Sequence, residues 1–481
     1  MKNRILSINK EVKASVVYTL CSLLSRGLAI ITVPIFTRLL STEEMGVVNL
    51  FNSWQSMIGS LATLSLTSGG YMLALKEFRN QKDEYMSSVL SLTSLVAVLI
   101  TVIYFLSPTF WASFLGLSKP LCVLMLFSFL ISPAIDFWLA RQRYEYRYIL
   151  SSILTIIPAI LASVVSIISV LVCSRNGMQA LGEIRLFANY SVILGVGLII
   201  WVHIIAKGRT LFNKKYWLFS LQLSIPLIGN SIAMQILSVS DRTMISKMVG
   251  NDAVGIYGVL YTVSSLSLIV WNAINTSFVP YLFENIDNEH KANEIKRTTS
   301  KLLLVYGMVT IFLTLIGPEI VGVLATEKYY EAIYIMPPIA AGIFLTAVSN
   351  MYTNILIYYK KTQYIMISSG IAAVLNLCLN YMCIRRWGYL VAAYTTLFAY
   401  IVLAILQSII SSNICKKYRN GLESKVHDNS LILLISSFII LLCLSCLVLY
   451  TNNYIRYIVI VFAFAICIVK RKRIIMLVKR K

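Results

Sequence analysis

Apolar residues run through this chain in long blocks separated by short polar stretches. The blocks lie near residues 14–38, 45–74, 85–107, 118–140, 148–173 and 186–206, then 217–248, 254–282, 299–324, 332–358, 363–384, 387–411, 430–450 and 454–470. Many of them are close to the ~20 residues that an α-helix needs to cross the hydrocarbon core of a bilayer. A helix satisfies its own backbone hydrogen bonds there, which an isolated strand cannot do. The pattern predicts an all-α polytopic membrane protein with about 14 transmembrane helices. The connecting stretches are too short for an extramembrane domain.

Composition agrees. Of 481 residues, 58% are hydrophobic and 13% are charged, against roughly 25% charged in soluble domains. The net charge of +22 would permit a nucleic-acid partner, but the bases sit in short loops between apolar blocks. With a cytoplasmic N-terminus, 31 of the 42 Lys and Arg residues fall in cytoplasmic segments and 10 on the opposite side, leaving Arg26 inside the first block. This asymmetry predicts both termini in the cytoplasm and an even number of spans, and makes nucleic acid an unexpected partner. The opening MKNRILSINKEVK reads as an interfacial lead-in with no cleavage site. The nine cysteines are scattered, mostly in apolar runs. Cys443 and Cys446 form a CxxC inside such a run, where cysteine acts as a small apolar residue. His203, His290 and His427 are far apart in sequence, so no metal site is expected.

One polar turn occurs twice. RLLSTEEMGVVNL at residues 38–50 and KMVGNDAVGIYGV at 247–259 each open on a base, pass through an acid and carry a glycine eight residues on. An offset of 209 aligns Arg38 with Lys247, Gly46 with Gly255, Thr67-Ser68 with Thr276-Ser277 and Leu73 with Leu282. Six spans separate the copies, so both face outward and the halves share one orientation, as in a parallel-repeat transporter. The expected organisation is an N-terminal lobe over 1–210 (spans 1–6), a C-terminal lobe over 211–412 (spans 7–12), and an extra helix pair with a basic tail over 413–481 (spans 13–14). Ser41 or Thr42 can cap span 2, with Glu43 and Glu44 at its positive dipole end; Asn251 and Asp252 offer the same to span 8. Gly46 and Gly255 fall in the first turn of the new helix, where a missing side chain allows close helix approach.

Polar groups kept inside a bilayer cost ~2.5 kcal/mol or more each and normally face a cavity or a partner. Arg26 lies twelve residues before Arg38, about 18 Å along a helix at 1.5 Å per residue. It is either a cavity cation suited to phosphate or carboxylate, or an arginine satisfied by carbonyls or an acid. Asp241 and Arg242 adjoin within span 7 but diverge by about 100°. Either Arg242 faces the cavity while Asp241 bonds another helix, or the two neutralise each other. Asp136 is within reach of Arg141 or Arg143, as an ion pair or a proton site. Glu319 is equally open. Asn230, Gln235, Asn272, Asn275, Asn350 and Asn354 offer hydrogen bonds to a sugar or between helices. Cations outnumber acids at depth, which points to an anionic substrate.

The stretches PIFTRLLSTEEMGVVNLFNSW and SVSDRTMISKMVGNDAVGIYGVLYTVSSL resemble the two halves of the Wzx-type O-antigen and polysaccharide flippases. The resemblance extends over essentially the whole chain in span count and layout. It implies two six-helix lobes around a central cavity, like those of the MATE exporters and lipid II flippases. It implies movement of undecaprenyl-pyrophosphate-linked oligosaccharide, for example an O-antigen unit for lipopolysaccharide, from the inner to the outer leaflet of the bacterial inner membrane. Arg26 and Arg242, with Arg38 and Lys247, would hold the pyrophosphate, and the lipid tail would stay in the membrane lipid. A polysaccharide polymerase and a chain-length regulator are implied as partners. No P-loop is present, and no cofactor or enzymatic chemistry is expected; coupling to H+ or Na+ stays open. A drug or small-solute exporter of the same fold is the alternative, and it would call for coupling carboxylates deep in the first lobe. A membrane polymerase or glycosyltransferase would call for outward loops larger and more acidic than these.

Overall fold

The computed structural model describes residues 21, 24, 27–28, 31–67, 70–145, 147–418 and 426–469. Arg26, the lead-in at 1–13 and the basic tail at 470–481 lie outside the described residues. The described chain is helical throughout, without strands. It divides into two compact units, Met1–Gly255 and Ile256–Lys481.

The first unit holds α1 (31–39), α2 (Thr42–Ala62), α3 (Gly70–Glu77), α4 (Lys82–Leu106), the short α5 (Pro108–Leu115), α6 (Lys119–Tyr144), α7 (Tyr148–Arg175), α8 (Leu181–Gly208), α9 (Lys214–Met248) and the first turn of α10 (Asn251–Ser264). Local chemistry fixes several helix starts. Ser41 and Glu44 form a capping box on α2, and the Asn213 carboxamide accepts from Lys215 and Tyr216 N–H at the start of α9. Such caps satisfy donors that a helix N-terminus otherwise orphans.

Span 2 of the sequence is not one helix. It breaks at 63–67, where Leu64 (φ 51°) and Ser65 (φ 47°) take left-handed conformations. Without glycine each costs ~1–2 kcal/mol. Leu66, buried below, anchors the break in an aromatic core of Tyr71, Phe78, Tyr85, Phe137 and Tyr216. A second core joins α2, α4, α6 and α8 through Phe51, Trp54, Tyr104, Leu121, Phe129 and Leu186.

The second unit holds the rest of α10, α11 (Ser267–Asn285), α12 (Ala292–Leu315), α13 (Gly317–Leu324), α14 (Met336–Tyr358), α15 (Thr362–Trp387), α16 (Ala392–Tyr418), α17 (Asn429–Leu449) and α18 (Asn453–Val469). Its centre is α14, buried along nearly its whole length and packed on α12, α16 and α17. Apolar partners gain little from leaving lipid, so close packing and buried polar pairs hold such helices. Here Asn376 Nδ2 donates to Thr396 Oγ1 at 3.1 Å and Thr395 donates to Asn380 between α15 and α16, and Asn380 Nδ2 donates to Asn376 Oδ1 at 3.1 Å within α15.

Among the described residues, nine helices are long and apolar enough to cross a bilayer, and α10 with α11 adds one span bent by 43°. The outer face of α7 illustrates the lipid boundary. Ile149, Ile153, Ile157, Ile160, Val164 and Ile168 are exposed at helical spacing, an arrangement that water would penalise and lipid accepts.

Candidate functional site

The two repeated turns meet. A Cβ on Gly46 would stand 1.8 Å from the Asn251 carbonyl oxygen, and one on Gly255 would stand 2.0 Å from that of Thr42. Only two glycines permit backbones this close. Thr42 Oγ1 donates to Asp252 Oδ1 at 2.5 Å beside the crossing, and Ser246 Oγ donates to Asn251 Oδ1 at 2.7 Å. Glu44 completes its capping box with Oε2 on Ser41 N–H (2.9 Å) and accepts Leu181 N–H at Oε1 (2.7 Å), fastening the start of α8. Glu44 and Asp252 are thus tied into the protein.

The bases that open the turns lie at the surface. Arg38 Nη1 donates to Pro34 O at 2.9 Å. Lys247 Nζ stands 3.9 Å from the centre of the Phe114 ring, a cation–π contact.

Below the crossing, α9 packs along α2, and both carry polar residues. Asp241 is fully buried, whereas Arg242 is half-buried, as are Asn230 and Gln235. The ~100° between neighbouring helix positions turns one charge into the packing and the other toward its edge. Asp241 and Arg242 both take part in further interactions. On α2, Gln55 Nε2 donates to Ser128 Oγ at 2.7 Å. Gln55 Oε1 and Asn49 Nδ2 are buried without a hydrogen-bond partner among the described residues. Asn49 and Gln55 are not among the amides singled out from sequence, where nothing shows which amides of the apolar runs turn inward.

Asp136 is exposed on α6, and Arg141 reaches other acids. Its guanidinium bridges Asp83 and Glu145, with Nε 3.1 Å from Glu145 Oε1. Lys82, Arg147 and Lys207 surround the pair. Burial would raise the Glu145 pKa, but the Arg141 hydrogen bond and the nearby cations hold it below the usual carboxylate range. Arg141→Met is expected to destabilise the protein by about 2 kcal/mol. That is less than the ~3–5 kcal/mol for a fully buried pair, because Asp83 is 34% exposed and keeps Lys207. Thermal unfolding in detergent checks this against Arg147→Met, whose side chain is 63% exposed and whose loss should change stability by under about 0.5 kcal/mol.

Bilayer-length helices with a polar, partly charged seam define a polytopic membrane protein of the fold used by the MOP-superfamily transporters. An inward-facing MATE multidrug resistance transporter superposes with a TM-score of 0.63 at 14% identity, covering 82% of this chain and 96% of that one. The lipid II flippase MurJ, in an inward closed conformation, gives 0.58 at 16% identity over 92% and 100%. A MOP-superfamily transporter from Pyrococcus furiosus gives 0.52 at 13% identity over 84% and 95%. No curated protein is significantly similar in sequence. Residues 12–286 match the polysaccharide biosynthesis protein family, and the chain belongs to that family. Residues 226–382 also match the MatE family.

Proposed function

We propose that the protein is a flippase that moves an undecaprenyl-pyrophosphate-linked oligosaccharide, an O-antigen unit, from the cytoplasmic to the outer leaflet of the bacterial inner membrane. The observation that carries this reading is the family match over residues 12–286, the region that contains α2 and α9 with their polar seam. Arg26 and Arg242 receive the pyrophosphate as cations, with Arg38 and Lys247 toward the outer end. Asn230 and Gln235, with Asn49 and Gln55, offer hydrogen bonds to sugar hydroxyls. The lipid tail stays in the bilayer. The proposed lobes are 1–210 and 211–412, with 413–481 as an added pair, and transport is by alternating access. Both termini are cytoplasmic, by the distribution of bases. A polymerase and a chain-length regulator take the flipped product, and an H+ or Na+ gradient is a candidate energy source.

A second reading, a small-solute exporter, is supported by the MatE match over 226–382. The test is a deletion strain in which an impermeant sugar-modifying reagent, applied to spheroplasts, reports the leaflet of the lipid-linked oligosaccharide. The intermediate is expected to be trapped inside in the deletion and with Arg26→Ala or Arg242→Ala, and to be released by wild type. Outer-leaflet intermediate in the deletion strain rejects the flippase and favours the exporter. Normal flipping by both variants rejects the cation assignment alone.

A further inference from the structure

A polar cavity in the second unit lies apart from the α2–α9 seam. It measures about 330 Å³ and is lined by Pro318, Glu319, Tyr334, Asn453, Arg456 and Tyr457, among others, within the usual ~300–1,000 Å³ of small-molecule sites. Its floor is an ion pair. Arg456, only 3% exposed, donates from Nη2 to Glu319 Oε1 at 2.5 Å. Its guanidinium also stands 5.7 Å from the Tyr450 ring centre and 5.3 Å from that of Tyr457.

The pair is incompletely satisfied. Arg456 Nε and Glu319 Oε2 are buried and have no hydrogen-bond partner among the described residues. A stranded donor and a stranded acceptor are costly beside a Glu319 side chain that is 37% exposed, and a ligand hydroxyl satisfies them once the pair opens toward the cavity. The surrounding phenols are partly spent: Tyr330 donates to Pro318 O at 2.8 Å and Tyr450 to Thr314 O at 2.5 Å. Their rings therefore stay fixed as walls. Tyr334 and Tyr457 remain exposed at the rim.

We propose that this cavity binds a neutral saccharide. The two charges cancel, so the site has no net attraction for an anion or a cation. One spare donor beside one spare acceptor matches the adjacent hydroxyls of a sugar ring. A hydroxyl can accept from Nε–H while its neighbour donates to Oε2. Fixed tyrosine rings cover the apolar C–H face of such a ring. The cavity lies where α12 and α17 end and where α13 and α18 begin, the end that the base distribution assigns to the outside. The inference rests on this cavity and not on transport.

The experiment uses the full chain in phosphatidylcholine nanodiscs and saturation-transfer difference NMR with methyl glucoside, methyl galactoside and N-acetylglucosamine. Saturation is expected to reach the ring protons of at least one of these sugars. Tyr334→Leu should weaken binding about tenfold, and Glu319→Gln should weaken it with a change in which ring protons are saturated. Tyr454→Leu, 84% exposed and outside the lining, should bind as wild type does. Equal transfer in wild type and Tyr334→Leu overturns the proposal. So does the absence of transfer to all three sugars, or stronger transfer to glucuronate or glycerol phosphate. The outcome is independent of the leaflet assay: a chain that binds sugar here without flipping a lipid rejects the transport reading alone.

Discussion

Gly46→Ala is expected to lower the melting temperature of the purified protein by several degrees, and Gly255→Ala to do the same. Helix-interior glycine normally gains ~0.8–1 kcal/mol when replaced by alanine, so the expected sign is opposite to the usual one. The reason is the crossing. Each new methyl would meet a backbone carbonyl at 1.8 Å or 2.0 Å, and a carbonyl inside a hydrogen-bonded helix turn cannot swing aside. The first turns of α2 and α10 must separate, and the Thr42–Asp252 hydrogen bond at 2.5 Å is stretched with them. Overpacking of this kind costs ~1–3 kcal/mol. Both substitutions act on one contact, so the double variant should lose much less than the sum of the single losses. Gly59 supplies the control, since its Cβ would meet only the Phe129 ring at an ordinary 3.5 Å. Thermal unfolding of Gly46→Ala, Gly255→Ala, their double and Gly59→Ala in one detergent decides the matter. If Gly46→Ala is as stable as Gly59→Ala, the two turns are not in the contact described.

The residues that could be read from sequence and those that could not differ in a physical way. Periodicity and block length are local, so the all-α polytopic class follows from the order of residues. The capping box is equally local, because Ser41 and Glu44 lie within one turn. Contacts between distant segments leave no such trace. Nothing in sequence says that Gly46 opposes Asn251, although the repeat places both in matching turns. The loop count put Arg456 among outward surface bases; the fold buries it on Glu319, 137 residues away. From sequence, Asp136 could pair with either Arg141 or Arg143, because only helical neighbours are visible there; Arg141 is engaged elsewhere. Its partners include Asp83, on another helix. The break at 63–67 is marked in sequence only by the Gly69-Gly70 pair that follows it, since no proline lies there and its left-handed residues are Leu64 and Ser65. For the candidate site, sequence could state that Asp241 and Arg242 diverge but not which of them is buried. The facing elements decide that.

Lowering the pH from 7 toward 4 is expected to destabilise the protein through His427 well before its paired carboxylates protonate. His427 lies just before α17, fully enclosed, with Nδ1 3.2 Å from Thr299 Oγ1 and Nε2 3.3 Å from Met351 O. The arrangement suits a neutral ring that donates from Nε2 to the carbonyl and accepts the threonine hydroxyl at Nδ1. Burial disfavours the charged ring and pushes its pKa down to about 4. The unfolded chain protonates near the ordinary value of ~6.5. Between these values the unfolded state binds the extra proton, so stability rises with pH across the window. The contribution is fully present above about pH 6.5 and is lost as the pH falls toward 4, at about 1.4 kcal/mol per unit. The whole window amounts to roughly 3 kcal/mol. Carboxylates such as Glu145, held below the usual range by Arg141, lose their share at lower pH still. His427→Gln keeps a donor and an acceptor without a titrating ring. Its unfolding temperature should therefore vary less between pH 7 and 4.5 than that of wild type, with the two curves converging at the acid end. Parallel curves would mean that His427 titrates in the folded protein near its ordinary value of ~6.5 and that its enclosure admits water.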